Sequence, residues 1–525
     1  MQENSRAKQK AKRLRAGREE CCDIGLSSSS RGALIGCLLA AAAPVLFAAD
    51  AAGPFGIHIV DEASGRGVPL VTLETTDGTR FITDSAGWVA FDEPGVVGKR
   101  LFFKVAAPGY AVPGNALGLP GSVLDTRRGG TAEIKVMRAS IAEWMYRTTG
   151  AGIYRDASRL GVEVPLPRPN LNGDIVRHGA VQAAVFHDRV LWTWREATGL
   201  ATPRAVPHAV GAFSDLPAKG GLDPVLGVHF DYVGAPANGP AGALLHMTEA
   251  GAVRLDGLLT ARDRDGAEHL LAHYTREDPA GRMAEHGIAE FNTTGRVFEP
   301  VMQLGEEFAW QCPHGHAVRV KEEGVEHFYF GDPFLVTRVP ASYEDVLNPS
   351  KYESLVADKE TGAPVWRCGG EPPLTQNAEA ASLAEKGGTK ARSLLRVTDV
   401  ADGRSVLVNG GTVRWNAWRK RWVMIASGTA GEAVAPSALW YAESLHARGP
   451  WKHAVRIADD SSHALEQACH HEFFDQDGGR LIYFEALLAP AAGVGATPRY
   501  DGNQMMFRLD LGDRRLERAR TASAE

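Results

Sequence analysis

From about residue 150 onward the chain repeats one local pattern: a short apolar strand, a turn rich in Asp, Gly or Arg, and a return strand rich in aromatics. The first instance runs from Gly179 through Val181 to Val185, turns at His187-Asp188-Arg189 and returns as Val190-Leu191-Trp192-Thr193-Trp194. Later instances begin at Asp256-Gly257-Leu258-Leu259, His314-Gly315-His316, Gly410-Gly411-Thr412-Val413 and His470-His471-Glu472-Phe473-Phe474. Alternation of period two, broken by tight turns, specifies antiparallel hairpins. Five such hairpins, each followed by room for one or two more strands, predict five blades around a common axis, a β-propeller over residues 150–512. Their spacing is irregular, which excludes a fixed-length repeat array. Residues 341–400 read as an insertion between the third and fourth blades, with Ala378 to Glu385 as a short helix and a surface position from which it can cover a cleft.

Residues 53–138 alternate in the same way but form a separate unit. Gly56 to Asp61, Val68 to Leu73, Thr79 to Phe91 and Leu101 to Val105 read as half-buried antiparallel strands, joined by turns such as Asp77-Gly78. This is the pattern of a small β-sandwich, so the expected fold class is all-β, a sandwich followed by a propeller. The 58 glycines and 29 prolines, scattered through 525 residues, fit many turns and short strands. A net charge of -6 with interspersed signs leaves no basic stripe, so no nucleic-acid partner is expected.

Residues 1–52 read as a signal peptide and leader. Lys8, Lys10, Lys12, Arg13, Arg15 and Arg18 precede an apolar run from Ala33 to Phe47 that ends in small residues, with cleavage expected near Ala49 to Ala52. The mature chain is expected to be periplasmic or extracellular, with no membrane attachment after cleavage. It keeps Cys312, Cys368 and Cys469, whose spacing matches no metal motif; one disulfide pair or three free thiols both fit. Residues 513–525 read as a disordered tail.

In a propeller the first residues of the innermost strands converge at one mouth of the axis. That rule singles out Asp174, His178, Asp256, Glu285, His286, His314, His316, Asp332, His470, His471 and Glu485. Cleavage of a glycosidic bond uses two carboxyl groups, one protonated and one ionised. Asp256 starts an inner strand and Glu285 is the second candidate; the plainer reading is a strand-turn cap and a solvated carboxylate. His286, His314, His316, His470 and His471, with Trp415, are candidate substrate-binding residues, since imidazoles and indoles suit sugar hydroxyls and rings. No cofactor or catalytic metal is expected. A structural divalent cation stays open, although Asp475 to Gly479 lacks the later glutamate of a calcium loop.

Three turns carry a resemblance. Asp61 to Gly65, Thr83 to Gly87 and Pro108-Gly109-Tyr110 resemble the carboxypeptidase regulatory-like, or prealbumin-like, domain, which implies a spacer or stability module without catalysis. Glu285-His286-Gly287, Pro313 to His316, Trp415 to Ile425, His470-His471 with Phe473 to Arg480, and Thr497 to Asp501 resemble a secreted bacterial family. That family joins such a sandwich to a five-bladed propeller similar to arabinanase and levansucrase. The resemblance implies an exported carbohydrate-active protein, hydrolysing glycosidic bonds of a polysaccharide or glycoside. One departure is that such glycosidases commonly carry an aspartate at the first blade's inner start, where this chain has His178-Gly179, with Asp174 out of register and Glu196 after the return strand. The alternatives are a non-catalytic glycan- or protein-binding propeller, and a lyase using His with Tyr274, Tyr329 or Tyr500.

Overall fold

In the computed structural model, residues 53–520 are described except 201–204, 207, 235–239, 307, 309–313, 369–370, 388–392 and 432–434. The expected leader at 1–52, Cys312 and the end of the expected tail, 521–525, lie outside the described residues.

The alternating segments at the N-terminal side build two four-stranded sheets. One contains Phe55–Asp61, Trp88–Phe91, Tyr110–Ala111 and Thr131–Arg138; the other contains Thr72–Thr75, Arg80–Ile82, Arg100–Ala106 and Gly121–Asp125. Their inner faces meet as a sandwich, with Phe91 of the first sheet 4.5 Å from Phe81 and 6.1 Å from Phe103 of the second.

Five blade sheets follow, antiparallel but for the pairing of Thr398-Asp399 with His453-Ala454, beside a small sheet of Ile175–His178, Ala197–Gly199 and Ala205–Val206. The innermost strands are Val181–Phe186, Ala252–Arg262, His316–Glu322, Ser405–Asn416 and His463–His470, for blades 1 to 5 in that order. Contacts between neighbouring inner strands run all the way round. Thr260 Oγ1 donates to Val185 O at 2.7 Å, Gly257 N to Gly315 O at 3.2 Å and His470 N to Thr412 Oγ1 at 2.9 Å, while Trp192 on the return strand of blade 1 packs edge-on against His471, just past the inner strand of blade 5. The chain is thus all-β in class, a small β-sandwich followed by a five-bladed propeller.

Each gap between blades is filled by its own apolar layer. Leu191 and Phe213 meet Leu255 and Tyr274 between blades 1 and 2; Leu259 and Ile288 meet Phe328 and Val339 between blades 2 and 3. Val318 and Tyr329 meet Met424 and Trp440 between blades 3 and 4, and Ile425 and Tyr441 meet Leu465 and Phe484 between blades 4 and 5. Trp192 and Trp194 fill the last gap with Tyr483 and Met506, so these tryptophans serve packing. A sheet covered on both faces needs apolar residues of both parities, which is why the return strands carry consecutive buried apolar residues such as Leu270-Leu271-Ala272 and Val423-Met424-Ile425.

Blade 5 takes its outermost strand from elsewhere in the chain: Glu143–Arg147, just after the sandwich, pairs antiparallel with Asn503–Asp510 and closes the ring. The segment expected as an insertion instead gives blade 3 two further strands, Glu353–Ala357 and Pro364–Cys368, before the helix Gln376–Glu385. In blade 5, His471 to Phe474 do not continue the expected strand; His470 ends it and Glu472–Phe474 form a 3-10 turn. The expected disordered tail is ordered through Arg514–Ala519, because Leu516 and Ala519 are buried and Glu517 pairs with Arg419 at 2.8 Å. Cys368 is exposed and Cys469 buried, and both are free thiols.

Candidate functional site

Three inner strands break their register at the same level of the axis, between Asp256 and Leu259, Val408 and Gly410, and Glu466 and Cys469. A bulge there re-aims side chains that a regular ladder would send into the blade-to-blade layers. At the first of them Asp256 turns into the mouth of the axis, with only 11% of its side chain exposed.

Four donors converge on that carboxylate. Gly315 N donates at 3.0 Å, Arg195 Nη2 at 3.0 Å, Gln182 Nε2 donates to Oδ1, and His314 Nδ1 lies 3.4 Å from Oδ2. They come from blades 1 and 3, so Asp256 ties three blades together at the mouth. Burial alone would raise its pKa, but His314, Arg195 and the Gly315 N–H outweigh it and hold the carboxyl below the usual carboxylate range. The same hydrogen bond raises the pKa of the His314 imidazole.

A second carboxyl stands beside this cluster. Asp332 follows the return strand of blade 3 and accepts from Gly411 N of blade 4 at 2.6 Å. Its Cβ abuts Gly315, where an added Cβ would sit 2.8 Å from Asp332 and 2.3 Å from Gly331 O; with φ at +87°, only glycine suits this position. The Asp332 carboxyl opens to solvent at the floor of a cleft, yet the protein crowding it and the nearby Asp256 charge push its pKa up to about 6. Two neighbouring carboxyls with pKa values displaced in opposite directions have the chemistry to serve as an acid and a base. The cleft, about 480 Å³, runs from His314 and Asp332 between blades 3 and 4 to residues 372–377 before the blade 4 helix.

The other expected site residues lie elsewhere. Glu285 is on the third strand of blade 2, two strands out and three register positions beyond Asp256, where it accepts from Tyr274 OH at 2.8 Å and Arg276 Nε at 3.4 Å. His286 is buried beside it, 2.9 Å from Gly305 O. His316, Cys469 and His471 meet deeper in the axis, the sulfur 3.7 Å and 3.9 Å from the two Nδ1 atoms. Burial pushes the thiol up and His316 down to about 3, so these groups are neutral packing partners near pH 7. His471 is further held by Glu485 at 2.9 Å and His470 by Asp475 at 2.8 Å. Among the described residues, no three His, Cys, Asp or Glu side chains are grouped to hold a metal ion.

Trp415 is half exposed, near the hairpin end of the blade 4 inner strand and against Trp422 at 5.7 Å, not in the cleft. The tyrosines named for a lyase are buried: Tyr274 on Glu285, Tyr329 on Glu322 and Tyr500 on Thr83 O. His178 is also buried, tilted against Trp194 and 3.1 Å from Tyr232 OH, so the first blade brings Gln182 and Arg195 to the mouth in place of a carboxylate. The sequence pairs Asp256 with Glu285 and not with Asp332, and it carries no signal for Arg195. The Gly331-Asp332-Pro333 break right after an aromatic strand was the available signal for Asp332.

No protein-family profile matches the chain, and no curated protein matches it. Among solved structures it is similar to a glycosyl hydrolase from Bacteroides ovatus, at 11% identity over 64% of this chain and 85% of that one, with a TM-score of 0.33. It is similar also to an α-L-arabinofuranosidase from Fusarium graminearum, at 11% identity over 63% and 93%, TM-score 0.33. A third is an exo-β-1,3-galactanase from Phanerochaete chrysosporium, at 9% identity over 64% and 61%, TM-score 0.32. Likeness of this degree assigns no reaction to the chain.

Proposed function

We propose that the chain is an exported carbohydrate-active protein that hydrolyses glycosidic bonds, with Asp332 as the acid and Asp256 as the ionised carboxylate. The observation that carries this reading is the pairing of these two carboxyls in opposite environments at one mouth of the axis. Asp332 gives its proton to the departing oxygen as the sugar C–O bond breaks. Asp256 faces the positive charge that develops on the sugar carbon and takes a proton from the water that adds there. Arg195, Gln182 and Gly315 N keep Asp256 ionised and in place. Export is supported by the basic-then-apolar leader in the sequence.

The test is reducing-end release by residues 53–525 on plant, algal and bacterial polysaccharides and on simple glycosides. Asp332→Asn and Asp256→Asn should each lower turnover at least a hundredfold, whereas Glu285→Gln should stay within about threefold. Activity that survives Asp332→Asn but not Glu285→Gln would reverse the assignment. Glycan binding without any turnover would favour a binding propeller, and products absorbing as unsaturated sugars would favour a lyase.

A further inference from the structure

Resting on the hydrolytic reading, we infer that the leaving group of the substrate is apolar, an alkyl or aryl aglycone and not a second sugar, and that it occupies the cleft beside Asp332. The acid must stand next to the departing oxygen, so whatever lies on the Asp332 side of the bond is the leaving group. On that side the cleft is walled by Phe334, Val336, Leu374 and Leu407. Leu407 is 48% exposed although it belongs to an inner strand.

Of the described polar side chains of this wall, Gln376 and Thr375 are already used, which leaves the exposed Asn377 amide beside the apolar residues. Gln376 donates from Nε2 to Leu395 O at 2.8 Å and accepts from Val408 N at 3.0 Å; Thr375 Oγ1 accepts from Ala378 N at 3.1 Å as the helix cap. A sugar placed there would lose water from its hydroxyls with few partners to replace it, whereas an apolar group needs only area. In the step itself the C–O bond breaks with its electron pair going to the aglycone oxygen, which takes the Asp332 proton and departs as a neutral alcohol or phenol. Water supplies hydroxide to the sugar carbon and its other proton to Asp256.

The experiment compares hexyl with methyl glycosides of the sugars cleaved in the panel, following hydrolysis by kcat/KM and binding to Asp332→Asn by calorimetry. The expected result is a hexyl advantage of tenfold or more in both, cut roughly fivefold by Leu407→Ser, whose half-exposed side chain can be exchanged without opening the core. Hydrolysis with no hexyl advantage, or with a disaccharide preferred, overturns the leaving-group inference alone. Absence of hydrolysis with every glycoside overturns the hydrolytic reading, and this inference with it.

Discussion

At the mouth of the axis, single atoms decide what the site can do. Asp256 accepts from a backbone N–H, an amide and a guanidinium, with an imidazole beside it, so its charge is fixed by neighbours drawn from the two adjoining blades. Gly315 makes this possible by letting Gly331 and Asp332 approach the same backbone. Gly315→Ala should cost about 2 kcal/mol or more, from a strained left-handed φ and a direct clash, read as a lower denaturant midpoint. Turnover should fall with it, because the added methyl displaces Asp332. An unchanged midpoint would mean that the two carboxyls are not held in this arrangement.

Among the elements, the closing strand Glu143–Arg147 matters most, since it joins the end of the sandwich to the last blade. Glu143 is its anchor: buried, and bound by Arg66 at 3.3 Å, Arg138 at 2.7 Å and Arg508 at 2.6 Å. Burial opposes its charge, but Arg508, Arg66 and Arg138 prevail and lower its pKa. A depressed folded-state pKa contributes stability above the unfolded value of about 4.3, lost as pH falls through the folded value. Glu143→Gln should therefore cost about 3 kcal/mol at pH 7 and less at pH 3, which chemical denaturation at the two pH values would measure. This strand was illegible in the sequence because all five residues are buried, which erases the alternation that marks a half-exposed strand. The five hairpins were legible because their turns punctuate them. Asp256 and His314 were legible from the turn residues beside them, although Asp256 proves to lie at a bulge within Ala252–Arg262 and not at its start, and His314 just before His316–Glu322, whereas Asp332 and Arg195 reach the mouth only through the packing of blade against blade, which no local pattern records.

Across the whole molecule, the sandwich and the propeller share one core. Ile57, Leu73 and Phe103 belong to the same buried cluster as Ile425, Leu465 and Phe484, and Tyr500 OH donates to Thr83 O at 2.6 Å across the junction. The expected spacer module is therefore part of the propeller's support, and residues 53–520 should unfold in one transition seen alike by tryptophan fluorescence and far-ultraviolet dichroism. Two separated transitions would show an independent sandwich. Such a rigid frame keeps two carboxyls close together with their pKa values displaced in opposite directions, and that pairing is what the proposed chemistry requires. Carbon-13 NMR of the protein labelled at aspartate carboxyls tests it most directly, with Asp332 assigned by its loss in Asp332→Asn. The account predicts that Asp332 titrates at about 6 and shifts downward in Asp256→Asn, once the neighbouring negative charge is gone. A midpoint near the ordinary value of about 4, indifferent to Asp256→Asn, would contradict it.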